Sequence, residues 1–309
     1  MEPFVADLHS DTMMWPLYDA SKRHNPSLPL SPLLNHVDEP RLAESCVSLQ
    51  AFGIVANPWY RPGKSGRKQI GKLRKLVDGS GNLEWALTAE DAERIWREGK
   101  TGVFAGLEGA HILDNDPANL EWFYEHGARY LGMSHFLNNK ATKKGLTGYG
   151  KELVDACDDL GMIIDLAHSN RDAFFSVLEE TKNPVIVSHT GIRSVHDSPR
   201  NMDDGQVMAI GDNGGVIGIM YFPLFLRGRF TGSVNDIVDH MDRVKELIGA
   251  DHIALGSDFD GFITLPREMK DVRDVKRIEQ AMWDRGYKPD EIRKILGENF
   301  LRVYRKVNP

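Results

Sequence analysis

Phe4-Val5-Ala6-Asp7-Leu8-His9-Ser10-Asp11 is a short apolar run that ends in a histidine and an aspartate two residues apart. In an extended chain, residues two apart point to the same side. His9 and Asp11 therefore project together from the end of a buried strand. A neutral imidazole and a carboxylate on one face make half of a metal site. Alone, the stretch reads equally well as a strand running out into a polar loop. The rest of the chain decides, because the same pattern returns.

Seven more short apolar or β-branched runs come after it: Cys46–Phe52, Gly102–Leu107, Arg129–Met133, Met162–Leu166, Val185–Ser188, Gly215–Tyr221 and His252–Gly256. Helical patterns separate most of them. Thr88 with Asp91 and Ser233 with Asp236 are capping-box starts for Ala89–Glu98 and Ile237–Ile248. Pro117 opens Ala118–His126, and Asn170 caps Arg171–Glu180. Lys151–Leu160 carries one apolar stripe, and two helices close the chain, near Asp271–Arg285 and Pro289–Val307. Strands alternating with helices argue for parallel β-structure in an α/β fold. Eight such units argue for a closed (β/α)8 TIM barrel over an open doubly wound sheet, since no glycine-rich phosphate-binding fingerprint follows an early strand. The long gap 53–101, with a Pro/Gly-rich loop from Pro58 to Gly66 and a basic helix, reads as an insertion after the second strand of a single domain, 1–309.

The bulk properties narrow the function classes. A net charge of −7 argues against a nucleic-acid surface. The weak basic cluster from Arg61 to Lys75 reads as a solvated face. The two cysteines, Cys46 and Cys157, make neither a disulfide framework nor a thiolate metal site. No apolar run approaches the ~20 residues of a membrane span, and no signal-peptide pattern precedes the first strand. These features set the expectation of a cytoplasmic enzyme with no membrane partner.

In barrels of this type the chemistry sits at the C-terminal ends of the strands. The residues just beyond each run are therefore informative: His9 and Asp11, then Glu108, His135, His168, His189 and Asp258, with Tyr221 ending the seventh run. Four of the 11 histidines fall at separate strand ends, which a barrel gathers into one ring. Three histidines, an aspartate and a glutamate exceed the needs of one tetrahedral ion and suit two, with Glu108 bridging. Mixed imidazole and carboxylate donors favour zinc, ahead of manganese or cobalt. Asp258 remains as a general base or an extra ligand. His24, His36, His111, His126, His196, His240 and His252 read as structural, His111 being the nearest to Glu108. Asp7 and Asp165, inside strands, read as partners of the ligands, and Asp260 as a loop anchor.

These residues resemble the membrane (renal) dipeptidase family, peptidase family M19, among the amidohydrolase-like barrels. The resemblance covers nearly the whole chain. It rests on His9-Ser10-Asp11, Gly-Leu-Glu108-Gly, Ser-His135, Ile-Asp-Leu-Ala-His168-Ser, Val-Ser-His189, Ser198-Pro199-Arg200-Asn201 and Gly-Ser-Asp258-Phe-Asp-Gly. It implies a binuclear zinc site, with His9 and Asp11 on one ion, His168 and His189 on the other and Glu108 between. It implies that Asp258 handles the catalytic proton and that His135 polarises the substrate carbonyl or stabilises the oxyanion. Arg200, which otherwise reads as a surface loop residue, would clamp the substrate carboxylate; Tyr221 joins His135 and Arg200 on the substrate side. The implied reaction is hydrolysis of a dipeptide with a free C-terminal carboxylate by a metal-bridging hydroxide. L,D-dipeptides fall within the expected range, because the family often tolerates a D-residue at that end. The mammalian members are secreted, lipid-anchored and disulfide-linked; this chain is closer to the soluble bacterial members. Members are often homodimers, and no sequence feature here decides assembly. The alternatives are an amidohydrolase acting on another small amide, either cyclic or N-acyl, and a non-catalytic barrel. No lysine ends a central strand to serve as a carbamylated bridge, and no ligand is missing, which disfavours both. The segment after His135 (Phe-Leu-Asn-Asn-Lys-Ala-Thr) and the insertion are expected to line the pocket.

Overall fold

The computed structural model describes residues 3–15, 19–23, 33–56, 59, 61–135 and 139–308. His24, Pro58 and the first three residues after His135 lie outside these described residues. In chain order the elements are β1 (Ala6–Asp7), α1 (Glu39–Ala43), β2 (Leu49–Val55), α2 (Pro62–Asp78), β3 (Leu83–Trp85), α3 (Ala89–Arg97), β4 (Thr101–Glu108), α4 (Asn119–Glu125) and β5 (Ala128–Gly132). Next come α5 (Gly148–Leu160), β6 (Ile163–Asp165), α6 (Arg171–Glu180), β7 (Ile186–Thr190), α7 (Asp204–Asn213), β8 (Val216–Ile219), α8 (Pro223–Arg227) and α9 (Val234–Ile248). The chain finishes with β9 (Ile253–Leu255), α10 (Lys276–Asp284), α11 (Pro289–Arg293) and α12 (Asn299–Val307).

All strand pairings are parallel, in the order β2-β1-β9-β8-β7-β6-β5-β4, and β2 pairs with β4 to close an eight-stranded barrel. The ninth strand, β3, was not expected. Its three residues pair with the first three of β4, Leu83 opposite Thr101 and Trp85 opposite Val103. β2 holds the other edge of β4 and β5 begins opposite Ala105, so β3 fills the edge that β5 leaves open. Local chemistry sets the helix starts. Thr88, Thr147, Asn170 and Ser233 each accept a hydrogen bond from the first turn of the next helix.

Several boundaries depart from the sequence reading. β2 lies three residues later than Cys46–Phe52, because Cys46 and Val47 belong to the turn after α1. α2 already begins at Pro62, a residue suited to a first helical turn, inside the expected loop. α7 was missed: two glycines and only three buried positions, Gln206, Val207 and Ile210, leave it almost no apolar stripe. The helix expected near Asp271–Arg285 starts at Lys276 after a 3-10 turn. The last helix is broken by a π-helical segment, Lys294–Glu298, where a side chain at Gly297 would meet Phe4.

The base of the barrel is aromatic. Phe104 of β4 stacks on Phe300 of α12 with ring centroids 5.9 Å apart, and the Tyr304 hydroxyl donates to the Ala86 carbonyl at 2.8 Å. Higher up, Tyr130 of β5 fills the interior, and Gly106 of β4 gives it room. A Cβ at Gly106 would lie 1.8 Å from Tyr130 Cζ. Gly106→Ala is expected to cost about 3 kcal/mol by overpacking and to lower the thermal midpoint by roughly 5–10 °C. An unchanged melting curve would show that the ring has somewhere else to go.

Candidate metal centre at the barrel mouth

The strand ends do converge. Glu108 is the last residue of β4, and its carboxylate stands at the centre, only 3% exposed as a residue. Oε1 faces His168 Nε2 at 3.0 Å, and His135 Nε2 and His189 Nε2 each at 3.6 Å. Oε2 faces His9 Nε2 at 3.7 Å. His9 Nε2 is in turn 3.2 Å from Asp11 Oδ1. The two oxygens of Glu108 thus divide the donors into two groups. Three overlapping sets, His9–Glu108–His189, Glu108–His135–His168 and His9–Asp11–Asp258, each have donor atoms within 4.8 Å of one another. Every one of the five residues expected as ligands is in this cluster, as are His135 and Asp258.

Two backbones are bent to bring their side chains in. His168 and Asp258 have φ of 62° and 63°, the left-handed region that non-glycine residues seldom occupy. Such strain is held only where the surroundings impose it. After Asp258, Asp260 ties the loop down: it accepts from the Thr12 hydroxyl and the His36 N–H, each at 2.6 Å. Glycines leave space beside the donors. A Cβ at Gly53 would come 2.9 Å from both Asp11 Oδ1 and His9 Cε1, and one at Gly261 would come 2.6 Å from Asp258 Oδ1.

Hydrogen bonds from behind set the rings. Tyr130 donates its hydroxyl hydrogen to the Leu8 carbonyl at 3.2 Å, so it accepts from His9 Nδ1 at 2.8 Å. His9 is thereby held by Nδ1 and turns its Nε2 to the cluster. The expected partners Asp7 and Asp165 act one residue removed. Asp165 holds Ser188, which touches His189 Nδ1 at 2.9 Å; Asp7 holds Ser257, which accepts from the Phe259 N–H at 3.1 Å.

The electrostatics are those of a cation site. Burial raises the Asp11 carboxyl, and Glu108 beside it adds to the rise. Burial and then Asp11 push Asp258 well above the usual carboxylate range. Glu108 goes the other way: against its burial, His135 and His9 hold it well below. Burial and then Arg200 take the His168 imidazole down to about 3, so it is neutral at ordinary pH. Burial and then His9 likewise hold His189 well below its usual value. His168 Nε2 and His189 Nε2 face each other at 2.9 Å. Glu108 Oε2 is buried with no hydrogen-bond partner among the described residues. Two neutral imidazoles, His168 and His189, beside carboxylates and an orphaned buried oxygen match the donor chemistry of divalent zinc. Against its burial, the acids around His9 hold its imidazole well above its usual value.

Arg200 reaches the rim. Its Nη2 donates to the His189 carbonyl at 2.9 Å and lies 3.2 Å from His168 Nε2. A cavity of about 450 Å³ opens beside it, lined by Ser169, Arg171, Arg193 and Asn201 among others. A larger hollow of about 640 Å³ runs along α2, past Met13, Lys68, Lys72 and Lys75, and holds none of these groups. Tyr221 stands apart. Its ring meets Phe259 edge-on at 5.5 Å within the apolar core, and its hydroxyl has no hydrogen-bond partner among the described residues.

Five of the remaining histidines have structural contacts: His36 with the Asp260 N–H, His111 with the Ala56 carbonyl, His126 with the Trp122 carbonyl, His240 between the Ile192 N–H and the Leu226 carbonyl, and His252 with the Gly215 carbonyl. Cys157 is a buried free thiol. Among the described residues, no helix is long and apolar enough to cross a membrane. Sequence reasoning missed Tyr130, Ser188, Ser257 and the two clearance glycines. Their one signal was adjacency, since each serine directly precedes a site residue.

Comparison with known proteins agrees with this geometry. Residues 2–309 match the family model described as membrane dipeptidase, peptidase family M19. The chain is similar to Dipeptidase tcpJ of Claviceps purpurea (34% identity, 78% of this chain and 59% of that protein). It is also similar to Dipeptidase 3 of Rattus norvegicus (30% identity, 78% and 51%). This chain therefore spans between half and three fifths of the length of those two relatives. Among solved structures, it superposes on a metallopeptidase described as dipeptidase AC with a TM-score of 0.87, at 25% identity, covering 100% of this chain and 99% of that one. A metallopeptidase of Rhodobacter sphaeroides, liganded with a phosphinate mimic of L-Ala-D-Ala, has the same fold at 24% identity, with a TM-score of 0.85 over 99% of this chain and 100% of that one. A match over essentially every residue, on a barrel whose strand ends carry the expected donors, leaves one assignment: the chain belongs to the membrane dipeptidase family, peptidase family M19.

Proposed function

We propose that the chain is a binuclear zinc dipeptidase, hydrolysing dipeptides that carry a free C-terminal carboxylate. The observation that carries this reading is Glu108: a buried carboxylate with one oxygen toward His9 and the other toward His168 and His189. His9 and Asp11 would hold one ion, His168 and His189 the other, and Glu108 would bridge. Bound there, the pair would supply Lewis acidity and a water made acidic enough to attack an amide at neutral pH.

The chain's own groups do the rest. Asp258, grouped with His9 and Asp11, accepts a proton as the amide is attacked and returns it to the leaving nitrogen. His135 sits at the rim of the cluster and aims a donor at the oxygen that becomes negative. Arg200, charged and fixed by the His189 carbonyl, meets the substrate carboxylate with its planar fork. Tyr221 takes no part in this assignment, because its ring lies in the apolar core.

Arg200→Ala is expected to raise KM for dipeptides on the order of 10²-fold with a much smaller change in kcat, as for loss of a charge-assisted contact made throughout the reaction. An unchanged KM would remove the clamp.

The reading is tested by metal content together with hydrolysis of L,L- and L,D-dipeptides before and after chelation. The L,D arm is included because a structural neighbour holds an L-Ala-D-Ala mimic. Two zinc ions per chain and chelator-sensitive cleavage of free, but not amidated, dipeptides are expected. Two metals without dipeptide cleavage would overturn the substrate, and no metal under any loading would overturn the site.

A further inference from the structure

Behind His189 lies a chain of hydrogen bonds with a fixed direction. The Asp165 carboxylate accepts three: from the Ala167 N–H at 2.9 Å and the Ser188 N–H at 2.8 Å, both on Oδ1, and from the Ser188 hydroxyl at 2.6 Å on Oδ2. Ionised, Asp165 accepts all three and has no hydrogen to give. Ser188 has a single hydroxyl hydrogen, and Asp165 takes it. The contact between Ser188 Oγ and His189 Nδ1, 2.9 Å, must then be a bond from the ring N–H to the hydroxyl oxygen. A neutral imidazole protonated at Nδ1 has its lone pair at Nε2, the atom that faces His168 and Glu108.

We propose that Asp165 is a positioning residue that, through the Ser188 hydroxyl, selects the tautomer of His189 able to bind metal. Direction is the substance of the proposal. In Asp165→Asn, the amide oxygen must stay on the two backbone N–H groups, which places the NH2 against Ser188 Oγ. The amide then donates to the hydroxyl, the hydroxyl donates to His189 Nδ1, and the ring proton moves to Nε2. One isosteric substitution would reverse every bond in the chain and cover the lone pair. Ser188→Ala deletes the link and leaves both tautomers open.

The proposal rests on the metal reading of His189, and zinc affinity measured by competition with a chromophoric chelator tests it. Ser188→Ala is expected to bind the second zinc ~10–100-fold more weakly, the usual effect of losing an outer partner. Asp165→Asn is expected to be weaker than Ser188→Ala by a further tenfold or more, with both variants retaining a cooperative thermal transition. A role in packing alone would make the isosteric variant the milder one, and that order would overturn the proposal. Should Asp165→Asn not fold, nitrogen-15 correlation spectra of the histidine rings in the metal-free wild-type protein decide the matter. An Nδ1–H tautomer at His189 is expected, and an Nε2–H tautomer overturns it. Wild-type protein that binds no zinc would instead defeat the earlier reading, while the ring spectra would still answer this one.

Discussion

Asp258→Asn is expected to lower kcat on the order of 10³-fold, about 4 kcal/mol of barrier, while both metal ions and KM are retained. The substitution keeps the shape of the side chain and removes its capacity to accept and return a proton. Asp258 is held for that task. It sits at a φ of 63°, its backbone N–H is bonded to the His9 carbonyl at 3.1 Å, and Ser257 before it is fixed to Asp7 by two bonds, 2.8 and 2.6 Å. A loss of metal in parallel with activity would make Asp258 a ligand first and a proton carrier second. Activity near that of the wild type would remove it from the chemistry. Metal analysis alongside steady-state kinetics separates the three outcomes.

Glu108→Gln is the second large effect. An amide presents one acceptor oxygen and one NH2, so it cannot offer an oxygen to each of two cations. Its NH2 would point a hydrogen either at His9 or at His168 and His189, against lone pairs meant for metal. Zinc affinity at one position at least is expected to fall by more than the ~10–100-fold typical of an outer partner, and dipeptide hydrolysis to drop to background. The readout is metal stoichiometry after dialysis against a weak chelator. Two firmly held ions in this variant would show that the bridge is not Glu108. The burial of Glu108 and the four imidazole nitrogens within 3.7 Å of it make that outcome hard to reconcile with the geometry.

The sequence announced this site because barrels convert chain position into space. A histidine or acid placed just after an apolar run needs no knowledge of loops to be located in the ring, and His9, Glu108, His135, His168, His189 and Asp258 all obey that rule. Arg200 does not. It lies on the connection between β7 and α7, so nothing local pointed to it and only the family likeness did. Tyr130 was invisible for another reason. A tyrosine inside a strand reads as core, and it is core; its hydroxyl matters only because the barrel interior lets it reach from β5 to Leu8 and His9 beyond β1. β3 left no trace because three residues, Leu83, Glu84 and Trp85, carry no measurable alternation. α7 was lost because its helix is held by a capping box at Asp203 and Gln206 more than by an apolar face.

The first and last strands of the barrel meet as β1 against β9, and α12 against Phe104 closes it beneath. Both contacts join segments far apart in sequence; the Tyr304 bond to Ala86 spans 218 residues. The proposed active site shares that property, since His9 follows β1 and Asp258 follows β9. During synthesis, the first strand must therefore wait, with an edge unpaired, until β9 has been made. A nascent chain stalled before β9 would have all five of the proposed metal ligands, but neither Asp258 nor a closed barrel to hold them. Competence of the proposed site and completion of the fold would thus arrive in one late event.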